Sequence, residues 1–374
     1  MQKINNIEIK NFKSISHQKI EGCKRINVFV GPPNVGKSNI LEALSNFSIS
    51  GDSEFFSDFV RLGKPTTLFF NGNVDDVSET ILNDFYRVRI SYQAYGLSVS
   101  FELDRFNRSF PQVDKEIIEA DINFISDAKE KIFRIGGFEV NQKSLEVKNF
   151  QGDGSLRSYL NSIPDFASTS DYKRSPILKY KFKEDIDYDS KEAWKLKHPY
   201  GQNIFEIIST KPLLNEEIIN LFKIYDLSFL YDSGSQEYKI LRIVGNKIFT
   251  IPYSMIADTL QRLIFYKTAI QTNSNSVLLF EEPEANCYEP YILEITNAIK
   301  NDKNDNQFFI VTHSQYVIEE LLRDEESRNN TNIYLVGLDN NETRIKLLSP
   351  EVSKEVYQTG LNIFFNYQSL WDEN

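Results

Sequence analysis

The chain is poor in cysteine. Its 374 residues include two, Cys23 and Cys287, too few for a disulfide framework and without the paired spacing of a metal site. Both are expected to be reduced thiols in an intracellular protein. Long apolar runs are missing too: no segment approaches the roughly 20 apolar residues that span a bilayer. The opening Met1-Gln2-Lys3-Ile4-Asn5-Asn6 lacks the apolar core of a signal peptide. These absences predict a cytoplasmic protein with no membrane contact. Positive charge is in deficit, with 42 Lys and Arg against 53 Asp and Glu and a formal net charge of −11. Affinity for nucleic-acid backbones rests on clustered Lys and Arg, so general nucleic-acid binding is disfavoured, while a local basic groove stays open. There is no repeat with a period of roughly 20–50 residues. Without sustained heptads in the middle of the chain, a long coiled-coil arm is not expected there.

Apolar residues make up 41% of the chain, enough for one large or two ordinary cored domains. The most informative stretch is Gly31-Pro32-Pro33-Asn34-Val35-Gly36-Lys37-Ser38, which has the form G-x-x-x-x-G-K-[ST] of a phosphate-binding loop. The apolar run 26–30 before it reads as a buried strand. Ile40, Leu41, Leu44 and Phe47 after it have helical spacing. The loop therefore sits between a strand end and a helix start, where unpaired N–H groups can face phosphates. Gly31 and Gly36 allow close backbone approach, Lys37 brings positive charge to the β- and γ-phosphates, and Ser38 offers a hydroxyl to Mg²⁺. Positions 31–39, Asn39 included, form the expected ATP-binding set.

The opening segment alternates as a strand through Ile4, Ile7 and Ile9. From about residue 48 to 247 no nucleotide motif occurs. That stretch is expected to mix strands at 67–70, 88–92 and 97–101 with helices at 115–124 and 215–224. Beyond it, helices at 259–272, 288–300 and 314–323 alternate with strands at 276–280, 307–311 and 332–336, which predicts a mostly parallel sheet covered on both faces. The expected architecture is α/β: a P-loop nucleotide-binding domain made of 1–50 and 248–374, split by a mixed α+β insertion at 51–247.

Val277-Leu278-Leu279-Phe280 runs into Glu281-Glu282-Pro283-Glu284, a strand ending in carboxylates. Glu281 is expected to hold Mg²⁺ with Ser38, and Glu282 to act as the base that orients water for in-line attack on the γ-phosphoryl group. A second strand, 307–311, ends in Thr312-His313-Ser314, with Ser314 a candidate helix cap. His313 would leave the same sheet edge, where ligands bind, and could donate to the γ-phosphate.

Together these elements resemble the ABC-type ATPase heads of the RecF, SMC and OLD group. The segment from Ile7 to Ile15 is similar to that group's first strand, 281–285 to its D-E-P-E-A segment, and 312–314 to its switch-histidine motif. The resemblance spans about 1–50 and 250–350. It implies a head that forms a homodimer or higher homo-oligomer around ATP, using Lys37, Ser38, Glu282 and His313. Glu281 stands where Asp is usual, and Asn286-Cys287 replaces His-Leu. The signature loop that would meet the partner subunit's γ-phosphate corresponds to 254–262, with Ser254, Asp258 and Thr259 as candidates but no glycine. An equal reading makes Asp258 a helix cap. No counterpart of the C-terminal nuclease domain of OLD proteins is expected after His313.

Two roles remain open. One is an ATPase switch of a bacterial anti-phage defence system, acting with a separate effector such as a nuclease. The other is a RecF-like repair ATPase that binds DNA itself. The second draws on Lys173, Arg174, Lys179, Lys181, Lys183, Lys195 and Lys197, interleaved with Tyr172, Tyr180, Phe182 and Trp194. The bland alternative is an exposed strand carrying Lys on its edge. A slowly cycling structural nucleotide module would also tolerate the missing signature glycine. Asp185, Asp187 and Asp189 lack the Gly and Glu of a calcium loop and read as a solvated turn.

Overall fold

The computed structural model describes residues 3–48, 59–84, 86–93, 96–103, 117–120, 132–135, 138–141, 147–149, 177–184, 186–188, 193–232 and 237–373. The strands in chain order are β1 (Ile7–Phe12), β2 (Ile15–Ile20), β3 (Ile26–Val30), β4 (Ser78–Leu82), β5 (Tyr86–Gln93), β6 (Gly96–Leu103), β7 (Ile117–Ala120), β8 (Ile132–Ile135) and β9 (Phe138–Asn141). They continue with β10 (Val147–Asn149), β11 (Ile177–Tyr180), β12 (Ser228–Asp232), β13 (Glu237–Val244), β14 (Lys247–Ile251), β15 (Val277–Glu281), β16 (Gln307–Val311), β17 (Thr331–Asp339) and β18 (Glu342–Leu347). The chain divides into two compact units.

The first unit comprises Met1–Ile177, Asn332–Ser349 and Phe364–Asn374. Its antiparallel sheet has the order β2-β1-β4-β5-β6-β7. In β1 the alternation of Ile7 and Ile9 with Glu8 and Lys10 puts the isoleucines in the core, as a period of two requires. β3 is buried along its whole length and leads into the phosphate-loop helix Lys37–Ser45. Phe29 of β3 stacks on Tyr334 of β17, with ring centroids 5.1 Å apart. β17 turns into β18 through Asn340 and Asn341, both at positive φ, as a two-residue hairpin turn demands.

The second unit comprises Leu178–Thr331 and Pro350–Ile363. β15 lies between β11 and β16, and β15 and β16 run parallel from Val277 opposite Gln307 to Glu281 opposite Val311. Helices Asp258–Thr272, Glu289–Lys300 and Gln315–Leu322 accompany them. The core is aromatic: Phe280 of β15 packs edge-on against Tyr180 and Tyr266 and tilts over Phe308. The Tyr180 hydroxyl donates to the Leu196 carbonyl at 2.7 Å and accepts from Asn273, so the buried phenol is satisfied. β12, β13 and β14 form a separate antiparallel sheet seated on helix Pro212–Lys223 through the stacked rings of Phe222 and Phe229.

The fold is α/β, a P-loop nucleotide-binding fold with a mainly parallel sheet and additional antiparallel sheets. Most expected elements lie within two residues of their predicted bounds. Two differ. The segment at 67–70 is not a strand but two 3₁₀ turns, Pro65–Leu68 and Phe70–Gly72; Pro65 presets the first turn, and the Thr67 hydroxyl donates to the Lys64 carbonyl. Within the expected helix 115–124, Ile117–Ala120 is a strand paired with β6. Its β-branched Ile117 and Ile118 suit a ladder, and pairing overrides helix propensity; the remainder of that segment lies outside the described residues. Among the described residues no helix is long and apolar enough to cross a membrane.

Replacing Phe280 with Ala should lower unfolding free energy by about 3–5 kcal/mol, the usual cost of emptying a buried aromatic site. Urea denaturation of the two proteins checks it.

Candidate active site

In the first unit, the phosphate loop is shaped by what cannot fit around it. Gly36 has φ 95° and precedes helix Lys37–Ser45 with no side chain capping the helix. A Cβ at Gly36 would overlap the hydroxyls of Thr343 and Ser14, and a Cβ at Gly31 would overlap the Val336 carbonyl oxygen. Both glycines are therefore steric requirements of this packing. Thr343 donates from Oγ1 to the Val35 carbonyl at 2.8 Å and lies 2.6 Å from Ser14 Oγ. The Asn39 amide donates to the same Ser14 hydroxyl at 2.7 Å. Val35 is buried, whereas Pro32, Pro33 and Asn34 are exposed at the loop's crest, with Asn34 at φ 62°. Lys37 is buried and its Nζ donates to the carbonyls of Gly31 and Pro32 at 3.0 and 2.6 Å. Ser38 is half-buried beside it. Beneath the helix, fully buried Glu42 is held by Lys13 and by Arg61 Nε, which anchors the helix from below.

The uncapped N–H groups, the two tight glycines and a lysine folded onto the loop fit a nucleotide's phosphates. The Ser38 hydroxyl is a hard oxygen donor of the kind Mg²⁺ takes alongside substrate phosphates.

In the second unit, the parallel register brings the other candidates together. Glu281 closes β15, and the chain turns sharply at Glu282, whose φ is 46°. The Glu282 N–H donates to the Val311 carbonyl at 2.8 Å, tying the turn to the end of β16. His313 Nε2 lies 3.5 Å from Glu282 Oε1, and both side chains are about two-fifths exposed (39% and 45%). Ser314 caps helix Gln315–Leu322 by accepting from the Val317 N–H, as its position predicted.

Glu284 is the residue that sequence reasoning missed. It is buried, and its Oε1 accepts from the Thr312 hydroxyl at 2.5 Å and from the His313 N–H at 3.0 Å. Its Oε2 is buried with no hydrogen-bond partner among the described residues. Burial raises its pKa above the usual carboxylate range, partly offset by the bonds to Thr312 and His313. Glu284 thus positions the backbone that carries His313. Its signal lay in the Glu-Glu-Pro-Glu run itself. Ser14 sits in the Asn-Phe-Lys-Ser segment already noted, while Thr343 has no sequence signal at all.

The signature candidates are less free. Ser254 lies in the 3₁₀ turn Tyr253–Met255. Asp258 is the first residue of its helix, not its cap; that position belongs to Ala257. Its carboxylate pairs with Arg262 at 2.9 Å, and Arg262 stacks on Phe182. The Thr259 hydroxyl donates to the Asn286 carbonyl at 2.9 Å, and Thr259 also lines an open, mostly apolar cavity of about 440 Å³.

The basic stretch is divided. Lys179 and Tyr180 are buried in β11, so neither can follow a nucleic-acid backbone or stack a base. Lys181 and Lys183 are exposed, Lys195 lies over the Trp194 ring, and Tyr172, Lys173 and Arg174 are outside the described residues. Asp185 and Asp189 are too; Asp187 between them is exposed. Both cysteines are free thiols. Burial pushes Cys23 up to about 12 and Cys287 to about 11, so neither is a nucleophile at neutral pH.

The family model described as "AAA domain, putative AbiEii toxin, Type IV TA system" matches residues 26–319. An "ATP/GTP phosphatase" of Helicobacter pylori is 22% identical over 366 residues, covering 90% of this chain and 93% of that protein. The "Uncharacterized protein MJECL10" of Methanocaldococcus jannaschii is 42% identical over 59 residues, 16% of this chain and 26% of that protein. Among solved structures, the SMC head domain of Thermotoga maritima aligns with a TM-score of 0.40 at 12% identity, covering 93% of this chain and 100% of that one.

Burial raises the Glu284 pKa, so the folded state keeps this proton to higher pH than the unfolded chain does. Its contribution to stability therefore falls as pH rises from the unfolded carboxylate value through the raised folded one. Glu284→Gln should remove that loss while keeping an acceptor for Thr312 and His313. Denaturant unfolding at a series of pH values, for both proteins, checks it.

Proposed function

The chain belongs to the AAA-domain family of putative AbiEii toxins of type IV toxin–antitoxin systems, and from that premise we propose that it is an ATP-hydrolysing switch working with a separate effector. The observation that carries the hydrolytic reading is the pair at the strand ends. Glu282 offers an exposed carboxylate, and His313 Nε2 stands 3.5 Å from it on a backbone braced by Glu284.

ATP would seat its phosphates on the N–H groups of the loop 31–38 and of the uncapped helix behind it. Lys37 would leave the carbonyls of Gly31 and Pro32 for the β- and γ-phosphates, exchanging neutral acceptors for charged ones. Ser38 and Glu281 would hold Mg²⁺, which supplies charge neutralisation to the phosphates when bound. Glu282 would accept the proton of the attacking water as oxygen bonds to the γ-phosphorus and the bond to ADP breaks. His313 would donate to a γ-phosphate oxygen. A second copy of the head would offer the helix 258–272 in trans, through Ser254, Thr259 and first-turn N–H groups that no side chain caps.

The family's description as a putative toxin of a type IV toxin–antitoxin system supports a toxin–antitoxin setting; the anti-phage role extends that reading. The phosphatase name of the Helicobacter pylori relative supports turnover. In this reading ATP assembles the heads, and hydrolysis or nucleotide release frees or activates an effector of nuclease or toxin type.

Lys37→Ala should abolish ATP binding. Glu282→Gln should retain it while lowering turnover by about 10²–10⁴, the usual contribution of a general base. Equilibrium binding and phosphate release measure the two; unchanged turnover in Glu282→Gln would sink the catalytic assignment. Purified from its host with Mg·ATP, Glu282→Gln should bring down a nuclease- or toxin-like protein that Lys37→Ala does not. Recovery of DNA without a protein partner would overturn the effector reading.

A further inference from the structure

The sheet β12-β13-β14 in the second unit has an uncovered flank. Its inner face holds Phe229 and Ile240, both buried and seated on the helix Pro212–Lys223. The register places Leu230 opposite Lys239 and Ile243 opposite Ile248. By the period of two, Leu230, Leu241, Ile243 and Ile248 share the other face. On that face Leu230, Ile243 and Ile248 are 50%, 61% and 65% exposed, beside Ser228, Thr250 and the ion pair of Lys239 with Asp232.

β14 is the edge of this sheet. Four of its five residues are exposed and the fifth is half-buried. Its ladder to β13 uses one side of the strand, and the other side makes no backbone bond among the described residues. Unpaired edges of this kind template pairing with another chain. Proteins usually blunt them with proline, a bulge or several charges. The sequence Lys247-Ile248-Phe249-Thr250-Ile251 has no proline and a single charge.

We propose that β14 is an interface strand through which two copies of this chain pair, antiparallel and about a two-fold axis at Phe249. The strand's own sequence argues for a second copy as the occupant. In that register Phe249 faces itself, Ile248 faces the other copy's Thr250, and Lys247 faces its Ile251. No like charges oppose one another, and the centre is an aromatic pair, both favourable across strands. Each chain carries a net charge of −11, which opposes self-association over most of the surface. β14 has no carboxylate, and Arg242 stands beside Phe249 in the ladder, so repulsion is relieved here. The product is one six-stranded sheet with the Leu230, Ile243 and Ile248 faces continuous across the axis, an isologous closed contact. It needs no nucleotide, which distinguishes it from association of heads around ATP.

Sedimentation of the full chain at micromolar concentration without nucleotide should give a dimer, and Lys37→Ala should leave it intact. Phe249→Lys and Phe249→Glu each put like charges at the axis and should each sediment at half that mass. An equal mixture of the two should return the dimer, a rescue that misfolded variants would not show. A monomeric wild type without nucleotide, a dimer untouched by Phe249→Lys, or failure of the mixture to reassociate would each overturn the proposal. Binding of an extended segment from another protein to a monomeric wild type would do the same.

Discussion

The parallel register of β15 and β16 is the constraint on which the chemistry of the second unit depends. Glu281 lies opposite Val311 as the last pair of the ladder, so both strands finish at one level. Whatever follows them must emerge side by side. Glu282 turns away at positive φ, and its N–H returns to the Val311 carbonyl. A one-residue slip would turn every side chain in the strand to the opposite face and take Phe280 out of its aromatic contacts. The aromatic packing of Phe280 against Tyr180, Tyr266 and Phe308 resists that slip. Core packing therefore fixes the position of the acid.

Glu284 then links the two strand ends through one carboxylate oxygen. Taking a carboxylate out of water is costly unless hydrogen bonds offset it. Here two donors, the Thr312 hydroxyl and the His313 N–H, converge on Oε1 while Oε2 has none. A buried group left half-satisfied is often found at a working site, where strain serves positioning. In the first unit the same logic uses small groups. Ser14 and Thr343 fill the space a Cβ at Gly36 would need, and Glu42 holds the helix from beneath. Neither arrangement touches a nucleotide, and each orders the atoms that would.

The sheet β12-β13-β14 leaves large apolar side chains open on the surface of the second unit. The residues along β13 and β14 alternate, yet each alternating set carries exposed apolar residues at the β14 end: Phe249 on one face, Ile243 and Ile248 on the other. A sheet covered on one side only needs apolar residues on one face.

The sequence by itself determined the strand–loop–helix of the phosphate loop, the acid-ended strand and the Thr-His-Ser turn. Each is local, because a buried strand, a glycine turn and a helix cap are written in consecutive residues. It missed the turns at 65–72 and the strand at 117–120, where a short apolar run fits more than one local structure and the pairing partner decides. Asp258 read equally as cap or contact, and only the structure shows it as the helix's first residue, paired with Arg262. The roles of Glu284, Ser14 and Thr343 belong to tertiary structure alone. Ser14 and Thr343 are 329 residues apart, and no periodicity or motif encodes a contact that exists only once distant strands have packed.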